Sequence, residues 1–211
     1  MSSPRFQLTT RTIKRSLDVL ADGDARIAHA LEAVGYPEER RQPQGYEAFV
    51  RIIVGQQVST HAARAIGERL REAVGGELSA EAVNDASDIT LRNAGLSNQK
   101  VSYLRALTSA TLSSALPIAT LSQCSDEEAV QVITAVRGFG VWSAHMYLMF
   151  SLGRTNIWPV GDLAVRAGCG NMFGLEDRPT PAETLRLGEP YQPHRSALAL
   201  LCWKYYSEAP L

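Results

Sequence analysis

The sequence predicts an all-α fold. Apolar residues recur at three- and four-residue spacing along most of the chain, Ser or Thr with Glu three places later opens two of these stretches, and no stretch alternates apolar and polar residues for long enough to make a convincing strand. The 211 residues are 45% hydrophobic and 20% charged, the balance of a globular chain with enough material for one domain or two intimately packed halves. No apolar run approaches the length of a membrane span, and Met1 to Thr12 lack the apolar centre of a secretory signal. A cytoplasmic chain with no membrane partner is expected.

The elements follow in order. Ile13-Leu17-Leu20 and Ile27-Leu31-Val34 give two helical stripes divided by Asp22-Gly23-Asp24. Arg11, Lys14 and Arg15 make the first of them basic, a pattern read as a solvated face. Pro37 to Gly45 is a connection rich in Pro, Gly and charge. Tyr46 to Gln56 buries Phe49, Ile52 and Ile53, then Gln56-Gln57 interrupts the pattern, and Ser59 or Thr60 caps a helix striped by Ala62, Ala63, Ile66, Leu70 and Val74 up to Gly75-Gly76. Two short helices over Ser79–Ala86 and Ile89–Ala94 precede a longer one from Asn98 to about Ser113. Ser97 caps it, Val101, Leu104 and Leu107 point inward, and Lys100 and Arg105 point to solvent.

The stretch Ser125 to Gly168 organises the rest. Ser125 and Glu128 can form a capping box, and Val130, Ile133 and Val136 line one face until Gly138 stops the helix. Gly138-Phe139-Gly140 is a tight turn whose glycines supply close approach or positive φ, and the helix from Val141 to Phe150 begins with unpaired N–H groups that can hold a phosphate. Downstream, Gly161-Asp162 starts another helix that runs to near Gly168 or Gly170. Asp162 can be its cap and still be a chemical carboxylate. Thr180-Pro181-Ala182-Glu183 opens a further helix, and Ser196 to Tyr206 is a strongly apolar final one.

These residues carry a resemblance. The hairpin with its downstream Asp162 resembles the helix-hairpin-helix DNA glycosylase superfamily, and Gly138-Phe139-Gly140-Val141-Trp142-Ser143-Ala144 is similar to its 3-methyladenine DNA glycosylase II (alkylbase DNA glycosylase) branch. Gly55-Gln56-Gln57-Val58-Ser59, Ala94 to Lys100 with Tyr103-Leu104, and His194-Arg195-Ser196-Ala197 leading to Trp203 extend it over roughly residues 46 to 203. The resemblance implies two helical subdomains with a cleft between them: residues 1–40 packing with 160–211, and 41–159 containing the hairpin 126–151.

It also implies chemistry. A base-excision-repair glycosylase turns the damaged nucleotide out of duplex DNA and hydrolyses its N-glycosidic bond while positive charge grows on the sugar. Asp162 is the expected catalytic carboxylate. Trp142, Trp203 and Met146 fall at lesion-pocket positions; an indole face favours a cationic methylated purine by about 0.5–2 kcal/mol, and a Trp at 203 serves equally well as a core residue. Gln57 is the expected minor-groove wedge, with Gln56, Ser59, Gly138, Gly140, Val141, Ser143 and Ala144 as further DNA contacts. The relatives that also nick the strand use a hairpin Lys where this chain has Trp142, so no imine forms and the enzyme is monofunctional. Met146 replaces an aromatic pocket residue of relatives, which leaves the lesion range open.

No cofactor is expected. Cys124, Cys169 and Cys202 are too widely spaced for an iron–sulfur cluster and are read as reduced. Arg195 is read as part of a structural ion pair, and the histidines lack metal-ligand spacing. Relatives often hold a monovalent cation on hairpin carbonyls, which here would be those of Thr134, Val136 and Phe139. The partner is double-stranded DNA with alkylated bases, bound by a monomer. Net charge is only −1, so phosphate contacts must rest on helix ends and a few local cations. A non-catalytic hairpin module that binds DNA is the alternative, and the near-zero charge also suits a helical scaffold for protein partners.

Overall fold

A computed structural model describes residues 6–209. Residues 1–5 and 210–211, the ends of the expected 1–40 and 160–211 subdomain, lie outside them. Twelve α-helices and no strand occur among the described residues: α1 (Thr10–Gly23), α2 (Ala25–Val34), α3 (Tyr46–Gly55), α4 (Thr60–Ala73), α5 (Ala80–Asp85), α6 (Asp88–Asn93), α7 (Asn98–Leu112), α8 (Asp126–Thr134), α9 (Val141–Phe150), α10 (Leu163–Met172), α11 (Pro181–Gly188) and α12 (Arg195–Glu208). None of them is long and apolar enough to cross a membrane. The chain divides into two compact units. One is Gln42–Tyr147, and the other combines the described residues of Arg5–Arg41 and Leu148–Leu211. The second changeover falls inside α9 rather than at residue 159.

In the first unit α3 packs on α4 and α7, and α5 and α6 close over α7. Its centre is aromatic: Phe49 of α3 stacks on Tyr147 with centroids 4.1 Å apart and meets the edge of Phe139 at 5.5 Å. Leu104 and Leu107 of α7 are fully buried. Arg105 is not turned to solvent as its spacing suggested. Its Nε donates to Asp88 at 2.9 Å and its Nη1 to the Val83 carbonyl at 2.7 Å, so the guanidinium satisfies carbonyls left over at the end of α5.

In the second unit α10 lies against α12, and α1 and α2 pack on α12 as well. Leu198 to Cys202 are buried almost completely. The two backbones of α10 and α12 approach because residue 168 is glycine: a Cβ there would sit 2.0 Å from the Cys202 carbonyl oxygen. Asp24 caps α2 and also accepts from Arg26 Nη2 at 2.6 Å and the Tyr191 hydroxyl at 2.6 Å. Trp158 is buried, with its Nε1 donating to the Thr184 carbonyl at 2.7 Å.

Candidate nucleic-acid interface and carboxylate

In the first unit α8 starts on the expected capping box of Ser125 and Glu128. The turn after α8 is built on Gly138, whose φ is +99°; an added Cβ would lie 2.3 Å from Tyr103 Cγ, so both the conformation and the space exclude a side chain. Phe139 is buried and anchors the turn against Phe49. Gly140 departs from the expectation of two required glycines: its φ is not positive, and a Cβ would meet nothing within 4 Å. It stands on the open side of the turn, where its carbonyl accepts the Ala144 N–H at 3.1 Å.

Position 144 therefore already belongs to the helix ladder, and the amides that the ladder leaves over at the start of α9 lie in the turn before it. Val141 is 54% and Trp142 37% exposed, whereas Ser143, Ala144 and Met146 are buried. Of the hairpin carbonyls considered for a cation, that of Val136 accepts the Phe139 N–H at 3.1 Å, and Thr134 is bonded through its hydroxyl to the Val130 carbonyl at 2.7 Å. Among the described residues no three His, Cys, Asp or Glu side chains group for a metal ion.

The α3–α4 turn carries the paired glutamines. Ser59, not Thr60, is the cap, accepting from the Ala62 N–H at 3.2 Å. Gln57 is exposed at φ +56°, a left-handed conformation that is uncommon for a residue with a Cβ. Gln56 turns the other way and donates Nε2 to the Gly138 carbonyl at 3.0 Å. Lys100 is not solvated as its spacing suggested: its Nζ donates to the Val54 carbonyl at 2.7 Å, and burial lowers its pKa. Sequence spacing could not reveal this contact, because it joins residues 46 apart.

In the second unit Asp162 caps α10. Its Oδ1 accepts from the Ala164 and Val165 N–H groups, each at 2.9 Å, and from Trp203 Nε1 at 2.9 Å. The helix end explains the first two contacts, and the close α10–α12 packing explains the third. The indole of Trp203 is half-buried, with the Phe150 ring 5.8 Å from it at 33°. The sequence showed both the cap and Trp203 but not that the one holds the other, and Phe150 carried no signal beyond an apolar helix end. Arg195 Nε donates to the Asn156 side chain at 2.8 Å, and its Nη2 to the Asn156 carbonyl at 3.1 Å. These bonds fix the entry to α12. Cys169 and Cys202 are buried free thiols.

Known proteins are similar in sequence and fold over most of the chain. DNA-3-methyladenine glycosylase 1 of Schizosaccharomyces pombe is 31% identical over 169 residues, 79% of this chain and 73% of its own. The S. pombe 3-methyladenine DNA glycosylase Mag1 in complex with abasic DNA superposes with TM-score 0.82 at 29% identity, covering 90% of this chain and 95% of that one. A Bacillus halodurans DNA-3-methyladenine glycosidase gives TM-score 0.81 at 30% identity, with 90% and 88% covered. The family model for HhH-GPD superfamily base excision DNA repair proteins matches residues 50–193, and the chain belongs to that superfamily.

Proposed function

We propose that this chain is a monofunctional, monomeric and cytoplasmic DNA glycosylase that hydrolyses the N-glycosidic bond of alkylated purines, such as 3-methyladenine, in duplex DNA. The observation that carries the reading is a carboxylate oxygen held by two helix-end amides and one indole N–H, in a chain of the HhH-GPD superfamily. Three donors on one oxygen fix where the negative charge stands. A fixed charge lowers the energy of a sugar that turns cationic as the base leaves.

The alkylated base is itself cationic, so it departs as a neutral molecule and needs no general acid. Position 142 offers an indole and no amine, so water rather than the enzyme takes the sugar carbon, and the product is an abasic site. The N-terminal turn of α9 and the left-handed Gln57 turn supply DNA contacts: the first takes a phosphate through its dipole and amides, the second fills the space of the turned-out nucleotide. Carbonyls of Thr134, Val136 and Phe139 would hold a monovalent cation, which would add positive charge to the phosphate grip.

Asp162→Asn tests the reading cleanly. Asn caps helices as well as Asp does and keeps Oδ1 for the same three donors, while the negative charge is lost. Released base from methylated duplex should fall by about 100-fold or more, while DNA binding stays. Equal release by both proteins refutes the role of Asp162; no release by the parent, with binding retained, identifies a binding module instead.

A further inference from the structure

The first unit contains a closed loop of contacts around two turns. From the end of α3, the Val54 carbonyl accepts Lys100 Nζ of α7 at 2.7 Å. One helical turn further along α7, the Tyr103 ring lies directly under Gly138, and the Gln99 amide donates to the Tyr103 hydroxyl at 2.6 Å. Gly138 in turn offers its carbonyl to Gln56 Nε2 at 3.0 Å, which returns the loop to α3. Residues 100 and 103 are three apart and share a face of α7. That single face supports both the α3–α4 turn and the α8–α9 turn.

Gln57 is the residue such a loop acts on. It stands between the fixed Gln56 and the Ser59 cap, exposed, in a backbone conformation that a residue with a Cβ leaves unless its neighbours hold it. A hollow of about 350 Å³ opens beside it, lined in part by Gln57, Gln99, Lys100 and Tyr103. Gln56 and Lys100 both act by hydrogen bonds to backbone carbonyls that end a helix or close a turn, which fix main-chain position rather than select a ligand.

We infer that Gln56 and Lys100 are positioning residues that hold Gln57 in its left-handed conformation in register with the Gly138 turn, so that Gln57 enters the duplex without first reorganising. The inference deepens the wedge role proposed above and rests on it. A preset side chain inserts at a smaller entropic cost than a mobile one. Neither residue touches the reacting sugar in this scheme.

The test uses the intact protein and a duplex with a tetrahydrofuran abasic analogue opposite 2-aminopurine, whose fluorescence reports insertion without any base release. Gln56→Glu removes the donor to Gly138 at constant size, and Lys100→Met removes the donor to Val54 while keeping the aliphatic stem. Each should weaken the fluorescence response at fixed protein concentration by about fivefold, the effect of one hydrogen bond, and Lys100→Arg, which can still donate, should restore most of it. In a Gln57→Ala background the same changes should add nothing, since coupled residues do not act additively.

Undiminished insertion in Gln56→Glu and Lys100→Met, or equal losses with and without Gln57, would overturn the inference. A parent that inserts but releases no base would refute the proposed reaction and leave the positioning scheme standing. A parent that releases base with normal insertion in both variants would do the reverse.

Discussion

Gly168→Ala should damage stability and catalysis through one displacement. The added Cβ would meet the Cys202 carbonyl oxygen at 2.0 Å and its carbon at 2.7 Å, both backbone atoms, so no rotamer change relieves the overlap. Ordinary contact begins near 3.4 Å, so α10 and α12 must separate by about 1.4 Å. Separation of that size can carry the 2.9 Å bond between Trp203 Nε1 and Asp162 Oδ1 beyond the hydrogen-bond limit of about 3.2 Å.

Overpacking costs about 1–3 kcal/mol, and the lost bond to a carboxylate adds about 1.5 kcal/mol at the low end of its range because both partners are partly exposed. Ala in place of a mid-helix Gly returns about 1 kcal/mol. The net loss is about 1.5–3.5 kcal/mol, a fall in melting temperature of about 3–14 °C for a chain of this size. Urea and thermal melts measure the first effect, and single-turnover base release at a temperature where the variant is fully folded measures the second. An unchanged midpoint would refute the packing argument. A destabilised variant with the parent's release rate would refute the link from helix spacing to Asp162.

Other outcomes follow from single contacts. Trp203→Phe keeps an aromatic ring near Phe150 but removes the indole donor, so base release should fall by about tenfold with little change in melting temperature; an unaltered rate would make Trp203 a wall and not a support for Asp162. Gly138→Ala forces a side chain into a φ of +99° and onto the Tyr103 ring, and should cost about 2 kcal/mol or more in urea denaturation, with no loss counting against the reading of the turn. The pH profile of stability should fall at both ends through the Asp24, Arg26 and Tyr191 cluster. The Asp24 carboxyl is held well below the usual range, first by its hydrogen bond to Arg26, so its contribution is present above the unfolded value near 3.8 and is lost as pH falls below it. Burial and then Asp24 push Tyr191 up to about 12, so its contribution is complete below about 10 and is lost as pH rises toward 12. Asp24→Asn should flatten the acid limb measured by chemical denaturation, and an unchanged limb would place the acid sensitivity elsewhere.

Local signals in the sequence were sufficient for much of the fold. Ser125 with Glu128 and Thr180 with Glu183 form the capping boxes their spacing suggested, and Ser97 and Asp162 cap the helices that follow them. Each of these depends on atoms three residues apart, which a sequence displays directly. The misreadings concern long cations. Lys100 and Arg105 sit at polar positions of α7, and spacing alone makes them solvent-facing; in the structure each reaches carbonyls orphaned at the end of another helix. Such carbonyls exist only once several helices have been placed. Gly140 was over-read for a related reason, since a Gly-Phe-Gly word does not say which glycine faces a neighbour. At the candidate site, the carboxylate and the indole were both visible 41 residues apart, but the bond between them depends on how closely α10 approaches α12.

One unit of this protein is assembled from two separated stretches, the described residues of Arg5–Arg41 and of Leu148–Leu211, while Gln42–Tyr147 is continuous. Synthesis completes the continuous unit, with the Gly138 and Gln57 turns, well before it completes α12, on which α1 and α2 pack. The two leading helices must wait through more than a hundred residues of synthesis with their apolar stripes uncovered, a closure over long sequence separation that slows folding. Newborn chains should therefore form the Gly138 and Gln57 turns early and the Asp162–Trp203 bond late, and chaperone dependence should centre on the waiting α1–α2 pair.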